Sequence, residues 1–127
     1  VKIQYPSSKE IEQLNALFSF NATGQEQDWS IEFSDSSRVS EFLDIYNTVD
    51  LTNPQKVEVM NLIIASYDEL LTYRPKEQDI WHSIVSAITG DIVLLRNTIE
   101  YWSCSGASEY NDFFEVTSRM RMIKDAL

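Results

Sequence analysis

The stretch PQKVEVMNLIIASYDELL, residues 54–71, restricts the possible folds more than any other part of the chain. Val57, Met60, Ile64, Tyr67 and Leu71 recur at helical spacing on one side, and Val59, Leu62, Ile63 and Leu70 recur on another. A helix that is apolar on two faces has to be covered on both, so the remaining elements must pack around it. Asp50-Leu51-Thr52-Asn53-Pro54 marks its start: Thr52 or Asn53 can cap it, and Pro54 sits in the first turn, where a missing N–H costs nothing. Tyr73-Arg74-Pro75 closes it, because Pro75 disfavours helical geometry at Arg74.

Shorter helices are expected on either side. Ser7 and Glu10 stand at capping-box spacing ahead of Ile11, Leu14 and Phe18, which predicts a helix over about residues 8 to 19. Residues 22–26 read as a turn. Asp35 can cap a helix carrying Val39, Phe42, Leu43 and Tyr46. Pro75 can open the next, with Ile80, Trp81, Ile84, Val85 and Ile88 inward and Gly90 at its end. Asp91 can cap another that carries Ile92, Leu95, Ile99 and Trp102, and SCSGAS, residues 103–108, reads as a loop. From Ser108 onward, Tyr110, Phe113, Phe114, Thr117, Met120 and Ile123 predict a last helix.

One stretch has a different period. Trp29, Ile31 and Phe33 alternate with Ser30 and Glu32, as in a half-buried strand, and the only similar pattern is Val1, Ile3 and Tyr5. The expected fold is therefore mainly α: an antiparallel bundle of about six helices with a short two-stranded β element, in a single domain over residues 1–127. With 43% apolar residues, a chain of 127 can build one core without disulfides.

The net charge is −10, and it is unevenly placed. Residues 21–70 hold ten acids against Arg38 and Lys56, a net −8. A field of that sign repels phosphate backbones and anionic lipid, so no direct nucleic-acid binding and no membrane association are expected; a basic protein partner would be attracted. Solubility alone explains the charge equally well. The longest apolar run is far short of the roughly 20 residues that cross a bilayer. VKIQYPSSKE lacks the pattern of a signal peptide, although a start at Val1 leaves open a leader removed before it. The lone Cys104 suits a reducing compartment, so a cytoplasmic location is expected.

No catalytic constellation is in view. His82 is the only histidine and has no nucleophile motif beside it, Cys104 has no clustered base, and Gly24, Gly90 and Gly106 are isolated. Asp79-x-x-His82 is one copy of a spacing that a di-metal site needs twice, and DSSRVSEFLD lacks the ligand pattern of a calcium loop. Asp68-Glu69 and Glu77-x-Asp79 read as solvated helix residues. Catalytic residues, metal and cofactor are accordingly none. The candidate partner-binding residues are Glu26, Asp28, Glu32, Glu41 and Asp44, whose carboxylates could pair with Lys or Arg, together with Trp29 and Tyr46 as apolar anchors. Trp29 and Trp102 serve equally well as core residues, and of the adjacent Tyr101 and Trp102 at least one should be exposed. Two alternatives stay open. One is a small-ligand or metal pocket between helices using Glu77, Asp79 and His82; the other is a homodimer burying Trp29 and the Tyr101-Trp102 pair, with a monomer otherwise.

TGQEQDWSIEFSDSSRVSEFLDIY, KVEVMNLIIASYDELL and IEYWS together resemble a pattern in small acidic bacterial proteins without assigned catalytic activity, some of them immunity proteins found beside toxin genes. The resemblance spans residues 23–71 and 99–103; where such patterns often have Asp-Pro before the second helix, this chain has Asp35-Ser36. It implies no catalytic residue and, for the immunity type, a protein partner.

Overall fold

In a computed structural model, which describes residues 5–106 and 113–127, the double-faced stretch forms the long helix α4 (Asn53–Tyr73). Around it lie α1 (Ser8–Phe18), α2 (Trp29–Glu32), α3 (Val39–Thr48), α5 (Asp79–Gly90), α6 (Arg96–Ser103) and α7 (Thr117–Asp125), with a turn of 3-10 helix over Ser36–Arg38. Helices α1, α2, α3 and α6 pack directly on α4, α5 packs on α3, and α7 packs on α6. Val59, Met60, Leu62, Ile63, Ile64 and Tyr67 of α4 are fully buried, as its two apolar faces require.

Two capping boxes start α1 and α4, and they are joined. Ser7 and Glu10 exchange side-chain and backbone hydrogen bonds at the start of α1, and Thr52 and Gln55 do the same for α4. The Thr52 hydroxyl also donates to the Glu10 carboxylate, while Gln55 Nε2 donates to the Glu10 carbonyl at 3.1 Å and to Gln13 Oε1 at 3.0 Å. Both helix starts are therefore set by one network. Thr52→Ala removes the cap and the link, and should cost about 1–2 kcal/mol of unfolding free energy in a denaturant titration.

Helix α1 ends with Ser19 in the left-handed region at φ 58°, so that Ser19 N–H reaches the Ala16 carbonyl and Phe20 N–H reaches that of Asn15. The reversal turns Phe20 back onto Phe18, and the two rings join Trp29, Phe33 and Phe42 in one aromatic cluster. The Arg38 guanidinium lies over Phe20 and Phe42, pairs with Glu41, and donates to the Phe18 carbonyl at 2.8 Å.

Four sequence expectations need correction. Helix α5 starts at Asp79 and not at Pro75, which lies in the turn before it. Residues 29–32 are helical, no described residue is in a strand, and Val1 and Ile3 lie outside the described residues, so the two-stranded element has no support. Asp91 does not cap α6, which starts five residues later. Its carboxylate accepts from Tyr46 Oη at 2.7 Å and faces Lys56 Nζ at 3.4 Å. Phe113 and Phe114 are not helical, and the last helix starts at Thr117, whose Oγ1 accepts from Phe114 N–H and donates to the Trp102 carbonyl; the expectation for Ser108 and Tyr110 lies outside the described residues. No helix among the described residues is long and apolar enough to cross a membrane.

Candidate functional site

A groove of about 550 Å³ opens between α1, the segment 24–31, α4 and α6. That volume is in the range of ligand-binding clefts, roughly 300–1,000 Å³. Its apolar lining includes the buried rings of Trp29 and Trp102 and the side chain of Val57. Three of the large apolar side chains that the fold leaves in solvent also stand here: Tyr5, Ile31 (43% exposed) and Tyr101 (58% exposed).

Each indole is fixed by an asparagine. Trp29 Nε1 donates to Asn15 Oδ1 at 2.7 Å, and Trp102 Nε1 donates to Asn61 Oδ1 at 3.0 Å. Both asparagines line the groove, and with each oxygen already accepting from an indole their amide N–H groups are the donors left to offer an occupant.

Glu26, Asp28 and Glu58 bring three carboxylates to the lining, and among the described residues no Lys, Arg or His joins them there. Glu26 is held by the turn before it, accepting from Thr23 N–H at 2.7 Å and Gly24 N–H at 3.0 Å. Gly24 has φ 84°, a conformation that L side chains rarely adopt, and so is suited to that turn. The hydrogen bond from Thr23 N–H is the main reason the Glu26 carboxyl sits below its ordinary range. Asp28 is exposed and accepts from Ser30 Oγ at 3.3 Å. Glu58 is half-buried on α4. Burial first, and then the neighbouring Asp28 charge, push its carboxyl above the usual range, with the Ser30 N–H offsetting part of the rise.

Of the residues nominated from sequence, Glu26, Asp28 and Trp29 meet at this groove, and Glu32, Glu41, Asp44 and Tyr46 do not line it. Glu32 turns back to accept from Asp28 N–H at 3.0 Å, Glu41 is neutralised by Arg38, and Asp44 is exposed on α3. Trp29 and Tyr46 are buried, so neither projects as an anchor: Trp29 fills the aromatic cluster, and Tyr46 packs inward with its hydroxyl on Asp91. Tyr101 is the exposed aromatic, beside a buried Trp102.

Glu77, Asp79 and His82 do not form a common site. Glu77, only 7% exposed, accepts from Tyr67 Oη at 2.9 Å, Ile80 N–H at 2.9 Å and Trp81 N–H at 3.2 Å, while Asp79 and His82 are exposed. Among the described residues no group of three or more His, Cys, Asp or Glu side chains could hold a metal ion.

Sequence reasoning missed Glu58, Asn15 and Asn61. The available signal was a third stripe on α4, where Glu58, Asn61 and Asp68 recur at helical spacing on a helix whose other faces are apolar. Asp68, also misread as solvated, accepts from Val116 N–H at 2.8 Å and ties the start of α7 to α4. No protein-family model matches this chain, and neither a curated protein nor a solved structure matches it.

Proposed function

We propose that the protein is a non-catalytic, cytoplasmic docking module whose groove takes a basic segment of a partner protein. The carrying observation is the groove itself: exposed apolar side chains and three carboxylates share its lining, with no base among the described residues there. Aromatic and apolar groups supply contact energy, and the unpaired acids select a positively charged partner. Immunity-type occlusion of a partner's basic site, by an antiparallel helical bundle acting as a rigid support, is the form this reading takes.

The test uses a short amidated peptide of alternating Lys, Arg and Ala, titrated calorimetrically into three forms of the protein. Asp28→Lys, in the groove, should weaken binding about tenfold or more, a change of roughly 1.4 kcal/mol. Asp44→Lys makes the same change in net charge on α3, away from the groove, and should leave affinity within about twofold at moderate salt. Equal losses would mean that affinity follows net charge rather than the groove, and the docking reading would fail. A dimer seen by light scattering and dissociated by Asp28→Lys would make a second copy the occupant, and would also overturn it.

A further inference from the structure

We infer that the cationic group entering the groove is an arginine side chain of an extended peptide segment, its guanidinium set between Asp28 and Glu58 and stacked on the aromatic wall. This rests on the docking reading and narrows it to one residue type.

The protein already shows how it accommodates a guanidinium. Arg38 lies 4.9 Å from the Phe42 ring centroid and 5.4 Å from that of Phe20, pairs with the Glu41 carboxylate, and donates to a main-chain carbonyl. Arg119 repeats the ring and carbonyl contacts, lying over Tyr67 and Trp81 while donating to Tyr67 Oη and to the carbonyls of Pro75 and Glu77. The groove offers the same kinds of group with no arginine among the described residues: the exposed ring of Tyr101 and the buried indoles of Trp29 and Trp102 line it together with Asp28 and Glu58.

Three physical differences favour guanidinium over ammonium there. It is planar and stacks on rings, its fork of donors can serve two flanking carboxylates, and its weaker hydration makes entry beside the half-buried Glu58 less costly. The N–H groups that Asn15 and Asn61 retain suit main-chain carbonyls, which a peptide carries and a free cation lacks.

The experiment compares two amidated peptides, Ala-Arg-Ala-Arg-Ala and Ala-Lys-Ala-Lys-Ala, by calorimetry. The arginine peptide should bind the wild-type protein about tenfold more tightly. Tyr101→Ala, which removes an exposed wall, should erase most of that preference; Asp28→Asn should weaken both peptides. Equal wild-type affinities for the two, each still weakened by Asp28→Asn, would overturn the arginine assignment and leave the docking reading standing. An arginine preference unchanged in both variants would place the cation elsewhere and overturn the assignment. No binding of either peptide would end both readings.

Discussion

Glu77→Ala should lower the unfolding free energy by about 2–4 kcal/mol, a large share of the roughly 5–15 kcal/mol that keeps a domain folded. The carboxylate joins the end of α4 to the start of α5: Oε1 accepts from Tyr67 Oη and Trp81 N–H, and Oε2 accepts from Ile80 N–H. Arg119 of α7 completes the junction by donating to Tyr67 Oη and to the Glu77 and Pro75 carbonyls. An alanine leaves the Ile80 and Trp81 N–H groups without their acceptor and Tyr67 Oη with only the Glu77 carbonyl at 3.2 Å, and unmet donors at a buried position cost more than the bonds themselves contribute. Tyr67→Phe removes the hydroxyl that donates to Glu77 and accepts from Arg119, and should cost about 1–2 kcal/mol.

The same carboxylate sets a pH dependence. Burial raises its pKa, but the three hydrogen bonds and the Arg74 charge outweigh burial and hold it below the ordinary range. As pH falls, the unfolded chain takes up this proton first, so the contribution is complete above the ordinary carboxylate value of about 4.3 and is lost as pH drops through the lower folded value. The stability gap between wild type and Glu77→Ala, measured by denaturant titration at stepped pH, should therefore narrow in acid. Glu58 acts with the opposite sign. Its folded pKa is raised, so the folded chain takes the proton first and the ionised group opposes folding at neutral pH.

The elements legible in the sequence are those whose local signals agree with their packing. At α4, the Thr52 cap, Pro54, the double apolar stripe and Pro75 all point to one helix, and it forms from Asn53 to Tyr73. At residues 29–33 the signal was ambiguous in principle. Trp29 and Phe33 are four apart, a spacing that brings side chains together on a helix as well as on a strand. Only Ile31 separates the two, since a strand would bury it with them and a helix turns it away. In the fold Trp29 and Phe33 pack with centroids 6.0 Å apart, and Ile31 is exposed. Which pattern wins depends on α4, against which the short helix packs.

The site was less legible because it is assembled from four separate segments. The acidic character of residues 26–28 could be seen directly, but its partner Glu58 lies thirty residues on, in a helix whose apolar residues dominate any reading of it. Charge counting also could not distinguish Asp28, which keeps an exposed carboxylate, from Glu41, which lies three residues after the Arg38 that neutralises it. Buried acids posed the reverse problem. Glu77 and Asp68 occupy positions that suit solvated helix residues until the backbone N–H groups of Ile80, Trp81 and Val116 are brought to them by tertiary structure.

Trp29→Ala should cost about 3–5 kcal/mol and should abolish the proposed peptide binding at the groove along with it. The indole touches Phe18, Phe20 and Phe33, so its removal opens a cavity in the middle of the aromatic cluster and leaves Asn15 Oδ1 without its donor. A four-residue helix has almost no stability of its own. With its one large buried side chain gone, α2 loses its hold on α4, and the placement of Asp28 and Ser30 beside Glu58 goes with it. Trp29→Phe separates the two contributions. It keeps an aromatic ring in the cluster while removing the N–H and the five-membered ring that carries it, so it should cost about 1–2 kcal/mol and leave the proposed peptide affinity within a few-fold of wild type. A double-mutant cycle with Asn15→Leu should then return a coupling of about 1 kcal/mol between the indole and the amide. A coupling near zero would mean that the 2.7 Å bond does not hold α2 in place, and that the aromatic contacts alone position the acid side of the groove.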